Sequence, residues 1–251
     1  MKDILRDILE FLMPRKCVMC GERLRGGESF ICGHCFVHLP FTYYHLVEQS
    51  QLEKQFWALF PIERATSMFY HDGKNTRNII YQIKYNGNPE VGRHMAYLYA
   101  EELEKCHYFD DIDMLIPLPL HWKRQLKRHY NQSHYICQGI HEKTGIPVEK
   151  GVVKRIKNNI SQTHLNATQR LSNVEGIFQV THPEKIKGKH VLLVDDVVTT
   201  GATLSSCAKE LAKVPDVKVS ILTLSVASRT AAPVLEEDNI DVSIYGIPLM
   251  E

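Results

Sequence analysis

Val191 to Leu204 reads VLLVDDVVTTGATL. Four apolar residues run into two adjacent acids. Two more apolar residues follow, and then comes a stretch with no side chain larger than threonine. In an open α/β sheet, ligands bind beyond the carboxyl ends of the strands. Val191 to Val194 predicts such a strand, with Asp195 and Asp196 at its end. Neighbouring carboxylates repel each other and are tolerable where they accept hydrogen bonds from hydroxyls or face a metal. Thr199-Thr200-Gly201-Ala202-Thr203 then opens a helix. Small residues there leave backbone N–H groups bare, the helix N-terminus adds positive potential, and threonine hydroxyls add donors. The result is an anion cradle sized for a phosphate. Carboxylates for a diol beside a cradle for a phosphate describe a ribose 5-phosphate ligand.

A second chemistry sits near the N-terminus. CVMC at 17–20 and CGHC at 32–35 supply four thiols in two chelating pairs. Each CxxC turn points two sulfurs at one ion, and four sulfurs satisfy tetrahedral Zn²⁺, so Cys17, Cys20, Cys32 and Cys35 are read as ligands of a structural zinc ribbon. Arg15, Lys16, Arg23 and Arg25 surround it. Two readings of the ribbon stay open: zinc substituting for a core too small to fold alone, and a finger that docks nucleic acid or protein. Tyr43, Tyr44, Phe56 and Trp57 either stack bases or pack the ribbon onto the rest of the chain.

The elements that position these groups follow from periodicity. Residues 64–71, 113–118, 191–194 and 217–226 are predicted strands. Residues 75–84, 90–105, 131–144 and 202–213 are predicted helices, and Ile4 to Leu12 follow a helical stripe that stops before Pro14. Short apolar strands alternating with helices argue for a mostly parallel, doubly wound sheet covered on both faces. The organisation expected is a ribbon module over 1–60 and an α/β domain over 61–251. The 251 residues carry a formal net charge of +1, so there is no global field for nucleic acid or acidic membranes and any basic site is local. No apolar run approaches a membrane span and the charged N-terminus is unlike a signal peptide, so a cytoplasmic location with reduced thiols is expected.

The string of apolar strand, two acids, two apolar residues and TTGAT resembles the phosphoribosyl pyrophosphate (PRPP) signature of type I phosphoribosyltransferases. The resemblance implies that Asp195 and Asp196 hold the ribose 2′- and 3′-hydroxyls and that Thr199, Thr200, Gly201, Ala202 and Thr203 wrap the 5-phosphate. IKYNGNPEVG at 83–92, the basic stretch in IPLPLHWKRQLKRHYNQS at 116–133, and Arg155, Gln162, Thr163, Arg170, Asn173 and Phe178 further on, taken with the paired CxxC motifs, resemble the ComF family, including ComFC-type competence proteins. The chain departs from that family where Arg-Gly-Phe usually precedes Asn-Gln. It carries Arg128-His129-Tyr130, so a turn made at glycine falls on histidine.

From these resemblances comes an expected fold: a type I phosphoribosyltransferase-like α/β domain with a small N-terminal zinc ribbon. The expected chemistry is displacement of pyrophosphate from C1 of PRPP, with Mg²⁺ arriving on the diphosphate. Lys123, Arg124, Lys127 and Arg128 meet the leaving pyrophosphate, or else form a solvated helix face. Residues 155–170 form a closing lid or a plain surface loop. No catalytic base and no acceptor are named. Besides a transferase acting on an unknown acceptor, two further functions are expected: an accessory factor that binds single-stranded DNA beside other competence proteins, and a PRPP-sensing regulator without chemistry. A homodimer is a common arrangement for this fold.

Overall fold

A computed structural model describes residues 14–71, 73–157 and 176–227. The expected N-terminal helix and most of the 155–170 segment lie outside them. After a short helix α1 (Gly33–Val37) and α2 (Gln51–Trp57) come β1 (Ala65–Tyr70), α3 (Gly73–Tyr85), α4 (Glu90–Lys105) and β2 (Met114–Pro117). Helices α5 (Trp122–Arg128) and α6 (Gln132–Thr144) lead to the strands β3 (Val153–Arg155) and β4 (Phe178–Val180). The chain continues through β5 (His190–Val198), α7 (Ala202–Leu211) and β6 (Lys218–Val226).

Four strands form a parallel sheet in the order β1-β6-β5-β2, while β3 and β4 pair as an antiparallel ribbon. Apolar residues cover both sheet faces, as the near-continuous Val/Ile/Leu content of the strands requires. Leu192 and Val194 pack with Ile79 and Ile83 of α3, Met95 of α4 and Ile136 of α6. Val191 and Leu193 pack on the other face with Leu204, Cys207 and Leu211 of α7 and with Phe178 of β4. Helices that leave β2 and β5 for opposite faces create a switch point at the carboxyl ends of these two strands, where doubly wound sheets bind ligands.

Two local features hold this frame together. Gly139 lets α6 approach α4 closely, since a Cβ there would collide with the Arg93 carbonyl oxygen. Residues 40–42 run along the free edge of β1, with Thr42 N–H donating to Met68 O (3.1 Å) and Tyr70 N–H donating to Pro40 O (2.8 Å). An open sheet edge is thereby paired. Among the described residues no helix is long and apolar enough to cross a membrane.

The structure moves two expected boundaries. The sequence reading ends the motif strand at Val194, but pairing with β6 carries it to Val198, with Asp195 opposite Thr223 and Val197 opposite Ser225. The acids therefore sit inside the strand, because the partner strand runs on past them. The β3–β4 ribbon, three residues a side, carries too few residues for a period-2 pattern to be legible.

Candidate functional site

The two acids have different partners. Asp195 Oδ1 accepts from Ser133 Oγ at 2.8 Å, at the start of α6. Burial, reinforced by the neighbouring Asp196 carboxylate, pushes the Asp195 carboxyl up to about 7. Asp196 is buried, and Lys84 Nζ of α3 lies 2.9 Å from its Oδ1. Asp196 Oδ2 is buried without a hydrogen-bond partner. An unpaired buried carboxylate oxygen is costly, and it is the kind of atom a ligand hydroxyl or a cation satisfies.

The loop from Thr199 to Gly201 is short, and its shape is fixed from outside. Gly201 caps α7 at φ +75°, a conformation glycine adopts without steric cost. A Cβ there would lie 3.0 Å from Phe56 Cε1 and 3.4 Å from Leu59 Cδ1. Gln55 Nε2 donates to Thr199 O at 2.9 Å. Helix α2, set by a Ser50–Glu53 capping box, thus presses the loop into place with Phe56 and tethers it with Gln55. Thr203 and Ala202 form the first turn of α7 beyond it.

The basic stretch forms α5, a helix with no buried residue. Lys123 and Lys127 are exposed, and Arg124 and Arg128 are partly covered. It follows β2 on the same rim as Asp195, for Leu118 N–H donates to Val194 O (2.9 Å) and Asn131 Nδ2 to Leu118 O (3.0 Å). Arg155 of β3 lies within electrostatic reach of both groups. Burial, and then repulsion from Arg124, pull its guanidinium down from the usual value, while attraction to Asp195 works the other way. His129 stands where the family resemblance leads one to expect glycine, and its backbone has the glycine-like conformation at φ +66°. Tyr130 OH then donates to Ile83 O at 2.7 Å.

The four cysteines converge as their spacing implies. Their sulfurs lie within 4.8 Å of one another, and Cys20 Sγ and Cys32 Sγ are 3.9 Å apart. Tetrahedral Zn–S bonds of about 2.3 Å place sulfurs about 3.8 Å apart, so the cluster fits a structural zinc. Backbone N–H groups of Cys32 and Cys35 donate to Cys17 Sγ (3.4 Å) and Cys32 Sγ (3.5 Å). Glu28 braces the turns by accepting from Gly33 N–H (2.8 Å) and Arg25 N–H (2.6 Å). The ribbon packs on the main core: Met19, Leu24, Ile31 and Leu39 share a cluster with Phe69 and Ile79. Asn78 Nδ2 of α3 donates to Met19 O at 3.4 Å.

Of the aromatic residues weighed as base-stacking groups, Tyr44 and Phe56 are buried, in the cluster on the α7 face of the sheet and not in the one that receives the ribbon. Trp57 is half-exposed and donates to Ile62 O at 2.9 Å. Sequence reasoning assigned no role to Lys84, Ser133 or Arg155 at the acids. Each stands in a stretch that resembled the family, and the signal available for Lys84 was a lysine on the otherwise apolar flank of an amphipathic helix.

A model of the phosphoribosyl transferase domain family matches residues 140–244. Competence protein F of Haemophilus influenzae is 28% identical over 215 residues, covering 84% of this chain and 90% of that protein. The DNA utilization protein YhgH of Salmonella typhi is 28% identical over 198 residues, covering 78% of this chain and 77% of that protein. Competence protein ComFC of Bacillus subtilis is 25% identical over 210 residues, covering 83% of each.

Proposed function

Because the chain belongs to the ComF family and carries a phosphoribosyl transferase domain, we propose that it binds PRPP with Mg²⁺ and transfers the phosphoribosyl group to an acceptor, releasing pyrophosphate. The observation that carries the reading is Asp196 Oδ2, a buried carboxylate oxygen with no protein partner, in the strand that leads into a loop of small residues packed at Gly201 against Phe56. In this reading Asp195 and Asp196 accept hydrogen bonds from the ribose 2′- and 3′-hydroxyls. The backbone N–H groups and hydroxyls of Thr199, Thr200, Gly201, Ala202 and Thr203 hold the 5-phosphate. Lys123, Arg124, Lys127 and Arg128 offset the charge of the diphosphate as the C1–O bond breaks and the acceptor bonds to C1. The transition state is oxocarbenium-like and needs positioning and charge stabilisation more than a strong base. Mg²⁺ would arrive with the PRPP diphosphate and would help to neutralise its charge. Residues 1–60 form the zinc-bearing module, and 61–251 the domain that binds PRPP, working in the cytoplasm, where thiols stay reduced.

Calorimetric titration of Mg²⁺–PRPP into the zinc-loaded protein, beside the Asp195→Asn/Asp196→Asn variant, tests this. Micromolar binding that the variant loses supports it. No binding to either form removes it. Binding with no pyrophosphate release, across a panel of candidate acceptors, leaves a PRPP-sensing regulator.

A second reading is an accessory role in competence, with single-stranded DNA as a partner. The names of the relatives, competence proteins and DNA utilization proteins, favour it. Band-shift titration with a single-stranded oligonucleotide checks it directly.

A further inference from the structure

We propose that the exposed faces of α3 and α5 together form a platform for single-stranded nucleic acid, with bases on Tyr81, Tyr85 and Trp122 and phosphates on the surrounding lysines and arginines. This rests on the second reading above and gives it an address.

Charge is the first observation. Helices α3 and α5 carry Lys74, Arg77 and Lys84, then Lys123, Arg124, Lys127 and Arg128, and neither contains an acidic residue. In a chain whose net charge is +1, that is a local concentration of one sign. Lys74, Arg77, Tyr81 and Tyr85 recur at helical spacing, so they share one face of α3, opposite the buried Ile79, Ile80 and Ile83, while Lys84 turns in to Asp196.

Exposed aromatic surface is the second. Tyr81 is 55% exposed, Tyr85 64%, Trp122 58% and Leu126 65%. Such apolar area is normally buried, and here it stands among cations. The Tyr81 and Tyr85 rings are 5.7 Å apart. Arg128 of α5 places its guanidinium 5.2 Å from the centre of the Tyr85 ring, which joins the two helices into one surface, and Lys123 lies 5.4 Å from the Trp122 ring.

Shape is the third. The α3 face opens onto a cleft of about 670 Å³ that Val197 and Thr199 close on the far side. Free ring faces accept the faces of unstacked bases, which a duplex hides within its own stack, and cations of uniform sign track a phosphate backbone. Single strands therefore fit and duplexes do not.

The test is fluorescence anisotropy of a labelled 20-residue oligo(dT) with the full, zinc-loaded chain. Tyr81→Ala/Tyr85→Ala, Trp122→Ala and Lys74→Gln/Arg77→Gln are compared with Trp57→Ala, which changes an exposed aromatic of α2, outside the platform. We expect Tyr81→Ala/Tyr85→Ala to weaken binding at least tenfold with its salt dependence kept, and Lys74→Gln/Arg77→Gln to lower the salt slope. Trp57→Ala should bind as the wild type does. Unchanged zinc content and circular dichroism establish that each variant is folded. If the wild type binds and the aromatic variants bind equally well, the platform is wrong while the DNA reading stands. If the wild type does not bind, both fail. Equal affinity for a 20-base-pair duplex overturns the stacking role.

Discussion

Lys84 Nζ stands 2.9 Å from Asp196 Oδ1, and through this pair α3 holds one of the two motif acids in the sheet. Asp196 is nearly fully buried, and Lys84 retains some exposure. Removing one partner of such a pair strands a buried charge, which costs about 3–5 kcal/mol in full burial. Partial exposure of Lys84 brings the expected loss for Lys84→Met to about 1–3 kcal/mol. Chemical denaturation measures it. The double variant Lys84→Met/Asp196→Asn should recover most of the loss, and a double variant as unstable as the single one contradicts the pairing.

Asp195 gives the site a pH dependence. Its carboxyl is pushed up to about 7 by burial and by Asp196, from an ordinary value of 3.8. A raised carboxylate value means that ionisation costs the folded state. The Asp195 contribution to stability is therefore fully present below about pH 4, and is lost as pH rises through about 7. Ligand binding runs the other way if the ionised form accepts the ribose hydroxyls. Affinity for Mg²⁺–PRPP should rise about tenfold between pH 6 and pH 8, relative to Asp195→Asn, which cancels titration of the ligand itself. A ratio between wild type and variant that stays flat across that range removes Asp195 from the contact.

His129 occupies a glycine conformation at φ +66°. The left-handed region costs an L-residue about 1–2 kcal/mol, part of which glycine returns as chain entropy. His129→Gly is expected to stabilise the fold by about 0.5–1 kcal/mol, measured as a rise in Tm of a few degrees. A lower Tm would mean that the imidazole makes a stabilising contact outweighing the strain.

Gly201 and Gly139 respond oppositely to His129. Gly201→Ala places a methyl 3.0 Å from Phe56 and holds alanine at positive φ; about 1–2 kcal/mol of destabilisation is expected. Phe56→Leu should relieve part of it in the double variant. Gly139→Ala drives a methyl into the Arg93 carbonyl, so α4 and α6 must separate. Its cost should reach the upper end of overpacking, about 3 kcal/mol, with failure to accumulate as the coarse readout.

Zinc content should be one ion per chain and should fall on Cys20→Ser or Cys32→Ser. Because Met19 and Leu24 share a core with Phe69 and Ile79, chelation should lower the Tm of a single cooperative transition. Two separated transitions in calorimetry would show instead that the ribbon melts alone.

How much of this was readable in the residues depends on how local the cause is. The helix Glu90–Lys105 and the strand Met114–Pro117 follow from spacing alone. The convergence of the four cysteines does too, since two CxxC turns make their own geometry. The motif named Asp195 and Asp196 but placed them past a strand end, because the extent of a ladder is decided by the partner strand. Lys84 and Ser133 were missed as their partners because those contacts span more than 60 positions. Tyr44 and Phe56 look the same in sequence as Tyr81 and Tyr85. The first two are buried and the last two are exposed, a distinction made only when helices dock. The departure at His129 was visible, but its retained φ was not.

The strand order has a consequence for how the chain is made. β1 pairs with β6, so Ala65 waits for Ile221, about 150 residues later in synthesis, before its inner edge is satisfied. At about 5–20 residues per second, that strand emerges from the ribosome many seconds before its partner. Residues 40–42, already translated, pair with its outer edge through Thr42 and Pro40. The growing chain therefore carries half of the protection β1 needs from the start, and the other half arrives with β6, the last of the described strands.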